Sequence, residues 1–415
     1  METSAAAELA LHELHTTALV LTIGIFIAVL ARWLRTPDVV LLLIVGMLVG
    51  PAGLGWIDVP IESEMNQLIL IFGSAYILYD GGASLRLSVL KQTWITITII
   101  STLGVLITGA ITAGAAHYLM HLAWPVALLL GAVIASTDPA TLVPVFRQIT
   151  IRDRVAQTVM SESAFNDAMG AIFTFTLLAI VMGTGQFSFS AVVTDLVWQS
   201  GVGVIVGAAV GYVVMYLVGH PRRAWAAEHA SVLTLISVIA AYIGATHLHA
   251  SGFMAVFVLG IFMGNQDVLG FRMSQHDLHR TEQYTLTTAF IMRVFIFVLL
   301  GTHVDFKLIL EQGLSALWVV LIFMLVARPV TVFLCAGVDR RAKWSLNEML
   351  FMSWTRETGV IPGALAGMLM GMNAPGSDVI ASVTLVAILI TILVQATTTR
   401  WLAAKLDLLV LDDGR

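Results

Sequence analysis

The chain has 415 residues, of which 58% are hydrophobic and only 11% charged, with a mean hydropathy of +0.92. A soluble domain carries about twice that share of charge, so no water-facing shell can be built and lipid must solvate most of the surface. The formal net charge of −5 is diffuse, with no basic stripe to suggest nucleic acid, and the single cysteine, Cys335, excludes an internal disulfide framework.

The N-terminal stretch carries Glu2, Glu8 and Glu13 and no Lys or Arg before its first apolar run. A secretory signal needs a basic segment there, so this run is expected to be a retained span. Apolar runs long enough to cross the hydrocarbon recur thirteen times: 17–33, 38–55, 66–83, 94–117, 122–145, 156–183, 190–218, 228–246, 251–265, 284–302, 314–337, 346–371 and 378–404. The ninth is short and 247–251 is a weak gap, so twelve spans is the competing count.

The basic residues give an independent test. If every span alternates, 17 of the 21 Lys and Arg fall on one side: Arg32, Arg35, Arg86, Lys91, Arg147, Arg152, Arg154, Arg222, Arg223, Arg272, Arg280, Arg340, Arg341, Lys343, Arg400, Lys405 and Arg415. The other side keeps Lys307 and gathers Glu2, Glu8, Glu13, Asp58, Glu62 and Glu64. Arg293, Arg328 and Arg356 lie within spans or at their edges. By the positive-inside rule this predicts thirteen spans, the N-terminus outside and the C-terminus cytoplasmic. The chain reads as one membrane domain over 1–404 with a short tail, 405–415. No Walker sequence is present, which points to an ion gradient rather than ATP as the energy source. No cofactor is expected.

Ionisable groups at bilayer depth cost at least ~2.5–3.5 kcal/mol and are functional by default, with a satisfied structural pair as the plainer reading. The fifth span contains Ser136-Thr137-Asp138-Pro139. Pro139 removes a backbone donor and pushes Asp138 out of helical geometry. Freed backbone groups at that depth are tolerated only where they line protein or a watery cavity. A bare proline kink with capping side chains is the alternative. The sixth span contains Glu162-Ser163-Ala164-Phe165-Asn166-Asp167-Ala168. Ser163 and Asp167 are four apart, as are Glu162 and Asn166, so two polar ridges share one helix face. That set offers hard oxygen ligands to a small cation, and Asp167 can hold a proton or a metal ion. A buried polar network joining helices is the alternative here.

The twelfth span reads Thr355-Arg356-Glu357-Thr358-Gly359-Val360-Ile361-Pro362-Gly363, a second interruption. It is the seventh span after the fifth, an odd number apart, so the two cross in opposite senses. Paired broken spans of opposite sense are the mark of inverted repeats with a site at the midplane; the repeats are expected at about 66–218 and 284–404. The half-helix ends gather two positive and two negative poles, which Asp138 and Arg356 would offset. Glu162 is the expected structural partner of Arg356. Arg293 is a second intramembrane cation with no assigned partner. Asp80 reads as an interfacial cap, and His117, His121, His247, His249 and His303 cluster at outer span ends, where a histidine can sense pH.

These residues resemble the NhaP-type sodium/proton antiporters, through Ser136-Thr137-Asp138-Pro139, Glu162-Ser163-Ala164-Phe165-Asn166-Asp167-Ala168 and an arginine in a broken twelfth span. The resemblance covers roughly 17–404. It implies an all-α membrane fold of about thirteen helices with inverted repeats, two discontinuous crossing helices, a core domain and a dimerisation domain, assembled as a homodimer. It implies that Asp167 binds cation and proton in turn, that Ser163, Glu162 and Thr137 help coordinate the cation (Thr137 through its carbonyl), and that Asp138 lies nearby. An asparagine first, as in Asn166-Asp167, goes with one-for-one exchange without net charge. Many relatives carry Leu-Arg-Gly where this chain has Thr355-Arg356-Glu357-Thr358-Gly359, and some potassium/proton exchangers look similar. The expected activity is therefore exchange of Na⁺ for H⁺ in the plasma (inner) membrane, with K⁺ as the alternative ion. A cation channel is the alternative of another class, but no repeated selectivity-filter sequence is present. An enzyme is not expected, because no His-Glu-x-x-His motif or serine–histidine pairing at span depth occurs.

Overall fold

The computed structural model describes residues 5–34, 37–137, 151–183, 189–219, 224–271, 273–304 and 306–409. They are almost entirely helical; an isolated antiparallel bridge joins Ile151 to Leu409. The helices are α1 (Ala5–Leu34), α2 (Asp38–Val49), α3 (Glu64–Ala83), α4 (Leu87–Met120), α5 (Trp124–Ile134), α6 (Asp153–Val181), α7 (Phe189–Val218), α8 (Ala230–His247), α9 (Gly252–Gly264) and α10 (Gln275–Thr302). A short turn of helix, Ala224–Glu228, precedes α8. Then follow α11 (Phe306–Ile322), a π-helical segment Phe323–Ala327, α12 (Arg328–Ala336), α13 (Leu346–Trp354), α14 (Val360–Gly371), α15 (Ser377–Ile390), a second π-helical segment Thr391–Ala396, and α16 (Thr397–Lys405).

Among the described residues, eight helical stretches are long and apolar enough to cross a membrane unaided. Shorter apolar helices, α2, α5, α9 and α14, together with α3, occupy the remaining apolar runs of the sequence. The weak gap before the ninth run is a real turn. His249 takes a positive φ of 53°, and the Ser251 hydroxyl caps α9 by accepting from the Met254 amide at 3.1 Å. α9 is therefore a short helix separate from α8, as the thirteen-run reading expects.

The helices pack in two groups. α4, α5, α6 and the segments from α11 to α16 form a bundle; α1, α2, α3, α7, α8, α9 and α10 form a scaffold beside it. In lipid the drive to associate comes from close packing rather than from burying apolar surface, so backbones must approach. Glycine permits this at two crossings. A Cβ at Gly260 of α9 would stand 2.2 Å from the Tyr79 carbonyl oxygen of α3, and one at Gly131 of α5 would stand 2.2 Å from the Gly109 carbonyl oxygen of α4.

At the bundle end that carries the basic residues, polar contacts tie successive spans together. Arg154 donates to Glu348 at 2.8 Å and lies 4.3 Å over the Trp344 ring. Ser345 and Glu348 form a capping box that starts α13. Burial disfavours the charged form of Asp339, but hydrogen bonds from Thr96 at 2.6 Å and from the Ala342 and Arg341 amides outweigh it and hold this carboxyl below the usual carboxylate range. Residues 406–409 pack onto the bundle: Asn347 donates to the Leu406 carbonyl at 3.1 Å, the Arg152 amide donates to the Leu408 carbonyl at 3.3 Å, and Leu408 is buried.

Candidate functional site

Helix α5 stops at Ile134, five residues before Pro139, and Ser136 and Thr137 continue without helical structure. Asp138 and Pro139 lie outside the described residues. A helix that ends inside a membrane leaves carbonyls and amides that need partners. The Thr137 amide donates to Asn166 Oδ1 at 2.9 Å, and the Ala135 carbonyl accepts from Arg356 Nη2. Arg356 thus sits on the C-terminal, partly negative end of α5, as dipole compensation requires.

The polar face of α6 meets this break. Thr137 Oγ1 and Ser163 Oγ are 2.9 Å apart. Asn166 Nδ2 donates to Thr137 Oγ1 at 2.8 Å and to Glu162 Oε1 at 2.9 Å, which together with the Thr137 amide bond fixes the orientation of the asparagine amide. Ser163, Asn166, Asp167 and Thr137 are all buried, with Asp167 only 3% exposed. The structure therefore brings together five of the residues singled out in the sequence, Thr137, Glu162, Ser163, Asn166 and Asp167.

Glu162 does not pair with Arg356, and the expectation that it would is corrected. Its partner is Arg328, the first residue of α12, which donates through Nη1 to Oε1 at 2.9 Å and through Nη2 to Oε2 at 2.6 Å. The Arg328 fork also holds the Met352 carbonyl near the end of α13 at 3.0 Å. The physical reason is geometric. A planar guanidinium presenting two parallel donors satisfies a buried carboxylate completely, whereas Arg356 is spent on the Ala135 carbonyl, Thr108 Oγ1 at 3.4 Å and the face of Phe323, 5.1 Å from its ring centre. Arg356 still feels the attraction of Glu162 and Asp167 and the repulsion of Arg328. Arg293, half-buried on α10, makes no hydrogen bond or ion pair to Asn166, Ser136 or Thr137 among the described residues; its Nε is buried without a partner.

The second break runs from Thr355 to Gly359, between α13 and α14. Pro362 lies in the first turn of α14, where no intrahelical bond needs its missing N–H. The Thr358 amide donates to Thr391 Oγ1 at 3.0 Å. Each broken span thus has a freed amide capped by a side chain of the span that follows, Asn166 in one half and Thr391 in the other. Between them Thr108 of α4 and Thr331 of α12 touch, oxygen to oxygen, at 2.9 Å. Both π-helical segments contribute here: Phe323 carries the ring under Arg356, and Thr391 caps Thr358. Extra-residue turns of this kind gather at functional sites.

Sequence reasoning left Arg328, Thr108, Thr331 and Thr391 unassigned. Arg328 had a visible signal, an intramembrane arginine before Pro329. The threonines had none, because a threonine hydroxyl commonly bonds its own helix.

Comparison with known proteins identifies the family. The family model described as the transmembrane sodium/hydrogen exchanger matches residues 18–405. The chain is similar to the Na(+)/H(+) antiporter 1 of Methanocaldococcus jannaschii, 32% identical over 84% of this chain and 81% of that protein. It is also similar to the K(+)/H(+) antiporter NhaP2 of Shewanella oneidensis, 28% identical over 94% of this chain and 67% of that protein. The solved structure of the M. jannaschii sodium proton antiporter MjNhaP1 at pH 8 superposes with a TM-score of 0.79 at 26% identity, covering 96% of this chain and 99% of that one. A family match over residues 18–405, joined to a relative 32% identical, means that this chain belongs to the sodium/hydrogen exchanger family.

Proposed function

We propose that the protein exchanges a monovalent cation for a proton by alternating access, with both guests competing for Asp167. The observation that carries this reading is the state of the two acids on α6. Glu162 is held by the Arg328 fork as a brace, while Asp167 lies buried on the same helix beside the Asn166–Thr137–Ser163 network, where a carboxylate and hard oxygens meet. Ser163 Oγ and Thr137 supply hard oxygens that replace part of a cation's hydration shell, and the cation is cargo rather than a resident metal. Asn166 holds Thr137 in place. Glu162 and Arg328 brace α6 against α12 and α13, and Arg356 offsets the end of α5. Asp138, outside the described residues, keeps the role read from the sequence, offsetting a positive helix pole. Protonating Asp167 removes the negative charge that holds the cation, so the guests exclude each other. A bare buried carboxylate is costly to carry across, which couples the two fluxes.

Na⁺ is the preferred assignment, and relatives named for Na⁺ and for K⁺ exchange both match. Asparagine rather than a second acid at 166 supports one-for-one electroneutral exchange. The basic ends of the spans support a cytoplasmic C-terminus in a plasma membrane. A homodimer is what the family resemblance implies, and the paired caps at Thr137 and Thr358 support inverted repeats at about 66–218 and 284–404. Reconstituted vesicles given Na⁺, Li⁺ and K⁺ in turn, with and without a clamped voltage, test the assignment. Na⁺-driven proton movement indifferent to voltage is expected; steady voltage dependence would overturn the electroneutral claim, and current without a proton gradient would favour a channel.

A further inference from the structure

Of the histidines placed at span ends, His303 stands apart. It closes the C-terminal end of α10 and is half-buried. Its Nδ1 lies 2.7 Å from the Leu299 carbonyl oxygen, and its Nε2 lies 2.7 Å from the Val59 carbonyl oxygen in the connection before α3. Carbonyl oxygens only accept. A neutral imidazole has one N–H and serves one of them; only the imidazolium donates to both. The same side chain faces a cavity of about 200 Å³ between scaffold and bundle, lined on the scaffold side by Leu300, His303 and Val304 and on the bundle side by Met370, Asp378 and Ser382.

We propose that His303 is a second proton-binding site, separate from the transport carboxylate, that takes its proton from the acid-lined face and brakes exchange when loaded. Protonated, it clasps the end of α10 to the 50–63 connection and presents a positive charge across the cavity to Asp378 on the bundle. Deprotonated, it loses one carbonyl and the attraction, and the bundle is freer to move against the scaffold. The charged groups around it fit that sign. Asp378 at the start of α15 shares the cavity, and the connection carries exposed Asp58 and Glu62. Glu62 accepts from Asn373, just beyond α14, at 2.9 Å, a second link between the connection and the bundle. The last turn of α10 and the end of α2 add no charge of their own.

The proposal rests on the antiport reading for its kinetic readout, so a direct one accompanies it. Exchange is measured in vesicles at saturating cation, which suppresses competition at Asp167, while pH on the acid-lined face is varied between about 6 and 8, where histidine titrates. Wild-type rate is expected to fall about fivefold toward the acid end, within the usual range of coupling between two sites. His303→Ala should be flat at the fast rate, and His303→Lys, permanently charged, should stay slow throughout. A pH step that survives in His303→Ala, or a His303→Lys variant that follows wild type, would overturn the proposal. In parallel, the imidazole ¹⁵N resonance missing from His303→Ala should report two bound protons at about pH 6; a neutral ring there also overturns it. Wild-type vesicles showing no exchange at all would count against the antiport reading, while the resonance would still decide the proton site.

Discussion

Asp167→Asn is expected to reduce pH-driven cation exchange to background in proteoliposomes while leaving the protein folded. The amide matches the carboxylate in shape, and removing a buried charge relieves its desolvation, so the melting temperature should hold or rise. Function fails for two reasons at once. The cation loses its counter-charge in a site where an unpaired ion costs several kcal/mol, or a factor of about 10² to 10³ in occupancy. The proton loses its acceptor as well. Because Glu162 is already committed to Arg328, no other acid on α6 can take over. Dequenching of a pH-sensitive dye on adding Na⁺ or K⁺ reads the result, and retained exchange would remove Asp167 from the mechanism.

Arg328→Met should be the most damaging single change to stability. It strands the Glu162 carboxylate, which is 4% exposed, and takes two donors from the Met352 carbonyl. Breaking one side of a buried pair costs about 3–5 kcal/mol, whereas replacing both sides with well-packed apolar groups is often neutral. Glu162→Leu combined with Arg328→Met should therefore recover much of the thermal stability lost by Arg328→Met alone. It should not recover transport, because Asn166 Nδ2 loses the Glu162 oxygen that helps orient it and Thr137 is no longer held as firmly. Melting curves in detergent set beside vesicle flux separate the two effects. A double variant as unstable as the single would show that the pair acts through more than its charges.

Much of this arrangement was legible in the amino-acid sequence, for reasons that are local. Hydropathy marks a span because some twenty apolar residues have few other uses. The interruptions at Thr137 and at Thr355–Gly359 follow from Pro139, Gly359 and Pro362 acting on their own neighbours. Glu162, Ser163, Asn166 and Asp167 fall on one face because spacing of three and four residues puts them there. What the sequence did not reveal is which of three intramembrane arginines meets Glu162. Arg328 and Glu162 are 166 residues apart, and their meeting depends on the depth at which α6 and α12 cross, which no local pattern encodes. The π-helical segments were invisible for a related reason. Five residues, Phe323–Ala327, are too few to shift a hydrophobic period measurably, yet they set the direction of Arg328 and Phe323. The tail was expected only as a short extension; that Leu408 joins the buried cluster holding Ile151 and Val155 depends on elements distant in the chain.

Proton release on cation binding is the most direct measure of whether Asp167 hosts two mutually exclusive guests. Calorimetric titration of the purified protein with Na⁺, and with K⁺, in buffers of different ionisation heats gives that stoichiometry without a membrane or a gradient. Near the pH where Asp167 is half-protonated, each bound cation should expel a fraction of a proton that approaches one as the starting pH is lowered, and Asp167→Asn should neither bind nor release. Cation binding that releases no proton at any pH would contradict the mechanism.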